Sequence, residues 1–108
     1  MPSETARIVL TTTDNEDSAK RIAQALVERH LAACVNLIPK ITSIYRWQGS
    51  VETASEILLV MKTSAERIPS LEAALRELHG YEVPEFLVLN VESGSKHYLD
   101  WLYGALKS

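Results

Sequence analysis

The stretch from Ala32 to Thr63 constrains the fold more than any other. It reads AACVNLIPKITSIYRWQGSVETASEILLVMKT. Both arms are rich in Val, Ile, Leu, Thr and Tyr, residues that suit a pleated, half-buried surface. Between them sits Gln48-Gly49-Ser50, a turn signal built around a glycine. The pattern predicts one long β-hairpin. Ala33 to Trp47 alone would make a strand of roughly 15 residues against a usual ~5–6. At about 3.3 Å per residue it spans on the order of 50 Å, more than a domain of this size needs across its core. In the first arm Cys34, Asn36 and Ile38 share one face and Val35 and Leu37 the other. Pro39 then removes a ladder donor, so a bend or bulge is expected there. In the second arm Ile57 to Met61 is apolar on both faces, as a central strand is.

The overhanging ribbon would expose two rows of unpaired backbone groups, and its side chains are not the Lys-rich or Pro-rich kind that blunt an edge. Tyr45, Trp47 and Val51 near its tip are poor choices for a solvated loop. Pairing with another copy of the chain resolves both problems, and a ring follows if each arm meets a different edge head-to-tail. The expectation is an obligate homo-oligomer.

The remaining segments alternate. Arg7 to Thr12 reads as a short buried strand. Thr13 and Glu16 have capping-box spacing ahead of a helix with Ala19, Ile22, Ala23, Leu26 and His30 at helical intervals, His30 serving as an end cap. After the hairpin, Thr63 and Glu66 repeat the capping-box spacing. Pro69 places the second main helix from about Ile68, with Ile68, Leu71, Leu75 and Leu78 as its apolar stripe. His79 falls in its last turn and Gly80 is a C′ residue able to take positive φ. Glu85 to Val91 reads as a strand, and Ser95 caps a final helix packing through Tyr98, Leu99, Leu102 and Leu106. The order is βαββαβ plus a helix, so the fold class is α+β, a ferredoxin-like split βαβ sandwich carrying a long hairpin and an extra C-terminal helix.

One domain accounts for all 108 residues, of which 46% are hydrophobic. A net charge of −3 offers no electrostatic footprint for nucleic acid or a membrane surface. One cysteine permits no intrachain disulfide and suits a reducing compartment. No signal peptide or membrane span is legible, so the expected location is the cytoplasm.

The densest polar cluster is His79-Gly80-Tyr81-Glu82-Val83-Pro84-Glu85, an imidazole, a phenol and two carboxylates at a helix-to-strand junction. Such a junction can hold a metal or a small ligand, because His is the commonest metal ligand. It can equally be a plain turn with a histidine on the helix dipole. Cys34 is a soft donor or a small buried hydrophobe. Glu56 and Lys62 interrupt the face that carries Leu58 and Val60. If that face is covered they need partners, either a salt bridge between subunits or a ligand pocket. Trp47 and Trp101 suit ligand stacking or an oligomer interface, and His97 reads as exposed. No nucleophile triad, phosphate loop, paired-Cys zinc motif or nucleotide fingerprint is present, so no reaction is indicated.

Leu31–Pro39 (LAACVNLIP), Ser43–Gly49 (SIYRWQG), the Glu56…Lys62-Thr63 strand, His79–Glu85 (HGYEVPE) and Tyr98–Trp101 (YLDW) occur in this order across nearly the whole chain. Together they resemble the CutA divalent-cation tolerance family. The resemblance implies a tight homotrimer with hairpins pairing between subunits, and a response to metal ions in which copper, as Cu(II), or another divalent cation is bound. It is also similar in architecture to nitrogen-regulatory signalling trimers that hold effectors in intersubunit clefts. The metal candidates are His79, Cys34, Tyr81 and Glu82, and a cleft would draw on Trp47, Glu56 and Lys62. A small-metabolite sensor and a non-catalytic trimeric scaffold are the alternatives. The chain departs from the family where Gly80 stands in for the usual Pro, Leu78 for a second His and Thr11 for a Cys. A site using those positions retains His79 alone, and would draw on Cys34, Glu82 or another subunit.

Overall fold

A computed structural model describes residues 5–107. Strand β1 (Ala6–Thr13) leads into helix α1 (Glu16–Glu28). The hairpin is β2 (Cys34–Trp47) and β3 (Ser50–Ser64), and a 3-10 turn at Ala65–Arg67 runs into α2 (Ile68–Leu78). Strand β4 (Leu87–Asn90) and helix α3 (Lys96–Ala105) complete it. The four strands form one antiparallel sheet in the order β2-β3-β1-β4. The mixed α+β architecture expected from the element order is therefore present, with β3 central as its two-sided apolar run required.

The hairpin turn works because Gln48 and Gly49 both take positive φ, 50° and 83°. That is the left-handed pair whose twist matches the flanking strands. The molecule extends 45 Å along its longest axis and about half that along the others, and the hairpin supplies the difference.

Alternation along the strands sends Val9, Ile57, Leu59 and Met61 to one sheet face, where they meet Ile22 and Leu26 of α1 and Leu71 and Leu75 of α2. This is the core. On the opposite face Ile8, Leu10, Leu58 and Val60 are half-buried, and Ile38, Leu87 and Leu89 are exposed. Two helices thus cover one side of a sheet that is apolar on both. Helix α3 packs at the far end of the sheet, with Leu102 and Leu106 against Ala33.

Several local expectations are corrected. Asn15, not Thr13, caps α1 by accepting from the Ser18 N–H, because Thr13 is still paired with Ile57 in the sheet. Thr63 likewise stays in β3 and donates its hydroxyl to the Leu31 carbonyl at 2.7 Å, so no capping box forms before α2. His30 takes φ 60° beyond α1, and its Nδ1 lies 3.3 Å from the Ala105 carbonyl, so it caps α3 rather than its own helix. Gly80 does not adopt positive φ; α2 ends instead on His79, whose backbone turns extended once its N–H has bonded Leu75. Strand β4 is four residues long, shorter than Glu85–Val91, since β1 offers it partners only from Arg7 to Leu10. Ser95 does cap α3, accepting from Tyr98, but Tyr98 itself is exposed.

Candidate functional site

The site begins with a one-residue slip. From Cys34 to Ile38 the first arm pairs with Lys62 to Leu58. Pro39 and Lys40 then form a bulge, Lys40 at φ 59°, and pairing resumes at Ile41 opposite Glu56. An extra residue in one strand exchanges the faces of everything beyond it. Before the bulge the odd-numbered residues of β2 face the helices. Beyond it Ser43, Tyr45 and Trp47 share the helix-free face with Glu56. Without the bulge these aromatics would stand on the other side of the sheet from the carboxylate.

The second wall is the loop after α2, pinned by His79. The imidazole is buried, and its Nε2 lies 2.6 Å from the Thr12 carbonyl. A carbonyl only accepts, so Nε2 carries the proton and donates. Nδ1 accepts the Tyr81 N–H at 3.0 Å. The Tyr81 ring leans on the imidazole at 4.7 Å between centroids and donates its hydroxyl to Glu56 Oε2 at 2.7 Å. One continuous chain of bonds therefore ties β1, the loop and β3 together. Burial first, and then the hydrogen bond and charge of Glu56, push the Tyr81 phenol well above its ordinary range.

Between the two walls lies an open groove of about 810 Å³. It is lined by Glu56, by Tyr45 and Trp47 of the hairpin, and by Tyr81, Glu82 and Glu85 of the loop. Of the residues singled out from sequence, Tyr81, Glu82, Glu56 and Trp47 come together here. Cys34 and Lys62 do not. Cys34 starts β2 opposite Lys62, its thiol 3.9 Å from Asn36 Oδ1, and Lys62 sits 5.8 Å from the Tyr98 ring centroid. Trp101 packs beside Tyr98 on α3. Tyr45 and the Thr12 carbonyl were missed. The alternation of Ser43, Tyr45 and Trp47 signalled one face, but which face depended on the bulge.

The donor set of one chain does not fit a closed copper site. Both His79 nitrogens are already bonded. Among the described residues no three His, Cys, Asp or Glu side chains converge as a metal site. At the positions where a Cys and a second His were expected, Thr11 is fully buried and Leu78 packs partly against the core.

Residues 7–105 match the family model for the CutA1 divalent ion tolerance protein. The chain belongs to the CutA1 family. It is 50% identical over 95 residues to the divalent-cation tolerance protein CutA of Thermus thermophilus, covering 88% of this chain and 92% of that protein. It is 52% identical over 91 residues to human protein CutA, covering 84% of this chain but 51% of the human protein; it thus spans only about half of that longer relative. The solved Thermus thermophilus structure superposes with a TM-score of 0.88 at 48% identity, covering 90% of this chain and 94% of that one. Synechococcus elongatus CutA gives 0.93 at 40% identity, covering 99% and 95%. The family is a divalent-cation tolerance family, and the CutA1 fold accounts for both the long hairpin and the extra helix.

Proposed function

We propose that this protein acts in divalent-cation tolerance as a cytoplasmic homotrimer with no catalytic step, binding Cu(II) or another divalent cation through donors pooled between subunits. The observation that carries the assembly is the apolar surface left open on the hairpin arm and along the β4 edge. The hairpin exposes Ile44 to 70% and Val51 to 64%, and β4 presents Leu87, Val88 and Leu89 along an unpaired edge. Surfaces of this kind mark an interface, and an arm meeting an edge closes head-to-tail into a ring. Pooling is required because one chain lacks a three-donor group among its described residues. Glu82 and Cys34 are the side chains left to contribute; Tyr81 joins only by giving up its proton and its bond to Glu56, and His79 only if Nδ1 gives up the Tyr81 N–H.

Sedimentation velocity at micromolar concentration tests the assembly; the expected mass is three chains, and a one-chain mass ends the proposal. Calorimetric titration with Cu(II) tests the metal. Saturable binding that His79→Ala abolishes, with the fold intact by circular dichroism, supports His79 as a ligand. Equal heats in both proteins remove it.

A second reading, a small ligand held in the groove, is favoured by the groove itself, whose volume suits a metabolite better than a bare ion.

A further inference from the structure

We propose that the groove binds a small organic cation, an ammonium or guanidinium on a short apolar body, with the Glu56 carboxylate as its counter-ion. The inference rests on the groove reading above and adds the chemical class of what enters it.

Glu56 is the decisive residue. It is 8% exposed. A buried carboxylate is costly unless it is paired and hydrogen-bonded. Its single partner is the neutral Tyr81 hydroxyl on Oε2. Oε1 has no partner among the described residues, and the residue lines the groove. None of the salt bridges among those residues involves Glu56. The fold has therefore buried most of a carboxylate, given Oε2 one hydrogen bond from a neutral hydroxyl and left Oε1 facing the groove.

The surroundings select the kind of cation. Tyr81 lies against Glu56, and Tyr45 and Trp47 line the same groove farther along the hairpin; aromatic faces attract cations while burying the hydrocarbon that carries them. Glu82 and Glu85 keep the loop's part of the lining negative. A hard divalent ion would want several oxygen donors converging on one point, and no such convergence exists among the described residues. An extended cation needs only one carboxylate at its charged end and aromatic walls along its body.

The test is a calorimetric titration of the whole protein with putrescine and with agmatine, against 1,4-butanediol as the uncharged control. Saturable heat with both cations and none with the diol is expected. Glu56→Gln keeps an acceptor for Tyr81 but removes the charge, so it should hold its circular dichroism spectrum and weaken binding by about tenfold or more. Tyr45→Leu supplies a second variant on an exposed side chain, expected to weaken binding by about threefold or more through the lost cation–aromatic contact. Heat that is absent, unchanged by either variant, or matched by the diol overturns the proposal. So does a crystal structure of the assembly with a Lys or Arg of a neighbouring subunit against Glu56, since the counter-ion would then be internal. A one-chain sedimentation mass with binding retained would overturn the homotrimer and leave this inference standing; a three-chain mass without binding does the reverse.

Discussion

The two faces of the sheet are built from similar residues and end in different states. Val9, Leu59 and Met61 on one face are sealed by α1 and α2. Leu10, Leu58 and Val60 on the other are half-buried, and the hairpin arm beyond them is bare. Composition alone does not separate the two. What separates them is the supply of helices, since two helices can cover one face of a four-stranded sheet and α3 is spent at its end. The covered face makes the chain fold, and the uncovered surface is what the proposed assembly would bury.

The largest effect should come from charging the hairpin arm where it runs past the helices, since Ile44 and Val51 follow the register of Ile57, Leu59 and Met61 but have no helix over them. Ile44 and Val51 are the most exposed apolar side chains of the arm. Ile44→Lys with Val51→Lys should lower the sedimentation mass from three chains to one, because desolvating two ammonium groups at an interface outweighs the remaining contacts. An unchanged mass would show that the arm is not at the interface.

The same comparison predicts the opposite outcome on the sealed side. Leu26 is fully buried between α1 and the sheet. Leu26→Ala should cost about 2–5 kcal/mol in urea unfolding through lost burial and the cavity left behind, while the assembly mass is retained. A loss under about 1 kcal/mol would mean that the helix-covered core is looser than its burial implies.

The groove lies on the bare side, yet part of its lining is bonded like a core. Tyr81 is held neutral by its surroundings, its folded phenol raised above the ordinary ~10. A raised folded value means the folded state holds the proton more tightly. That contribution is complete below the unfolded value of about 10 and is lost as pH rises through the folded one. Unfolding midpoints measured from pH 9 to pH 11, about the ordinary phenol value, should fall in the wild type. They should fall less in Tyr81→Phe, which has no proton there to lose. Parallel slopes would remove Tyr81 from the alkaline transition.

Much of this was legible in the chain, for identifiable reasons. The hairpin, its turn and the break at Pro39 follow from local chemistry, and β3 at the centre follows from an apolar run on both faces. The caps were misread because Thr13 and Thr63 fit a capping spacing while being needed as sheet residues; long-range pairing with Ile57 and Arg7 decided the matter, and no local pattern shows it. The site was half legible. HGYEVPE stood out as a polar junction open to either a ligand or a structural role; that its imidazole braces the loop against Thr12 is tertiary information. Glu56 was seen to need a partner; that Tyr81 supplies it, 25 residues on, is tertiary information. Tyr45 and Trp47 reach the same face through a slip whose location Pro39 indicated and whose size it did not.

Two threonines carry the comparison to its smallest scale. Thr63 and Thr11 are both fully buried. Thr63 spends its hydroxyl on the Leu31 carbonyl, whereas Thr11 Oγ1 has no partner among the described residues. Replacing each by Val keeps the shape and removes the hydroxyl. At Thr63 the change strips a buried carbonyl of its side-chain donor and should cost about 1–3 kcal/mol. At Thr11 it relieves an unmet desolvation cost and should be neutral or stabilising by up to about 1 kcal/mol. The sign of the second change is the sharper measure: a clear loss at Thr11→Val would mean that its buried hydroxyl does have a partner, such as an enclosed water, and that the sealed face is not wholly dry.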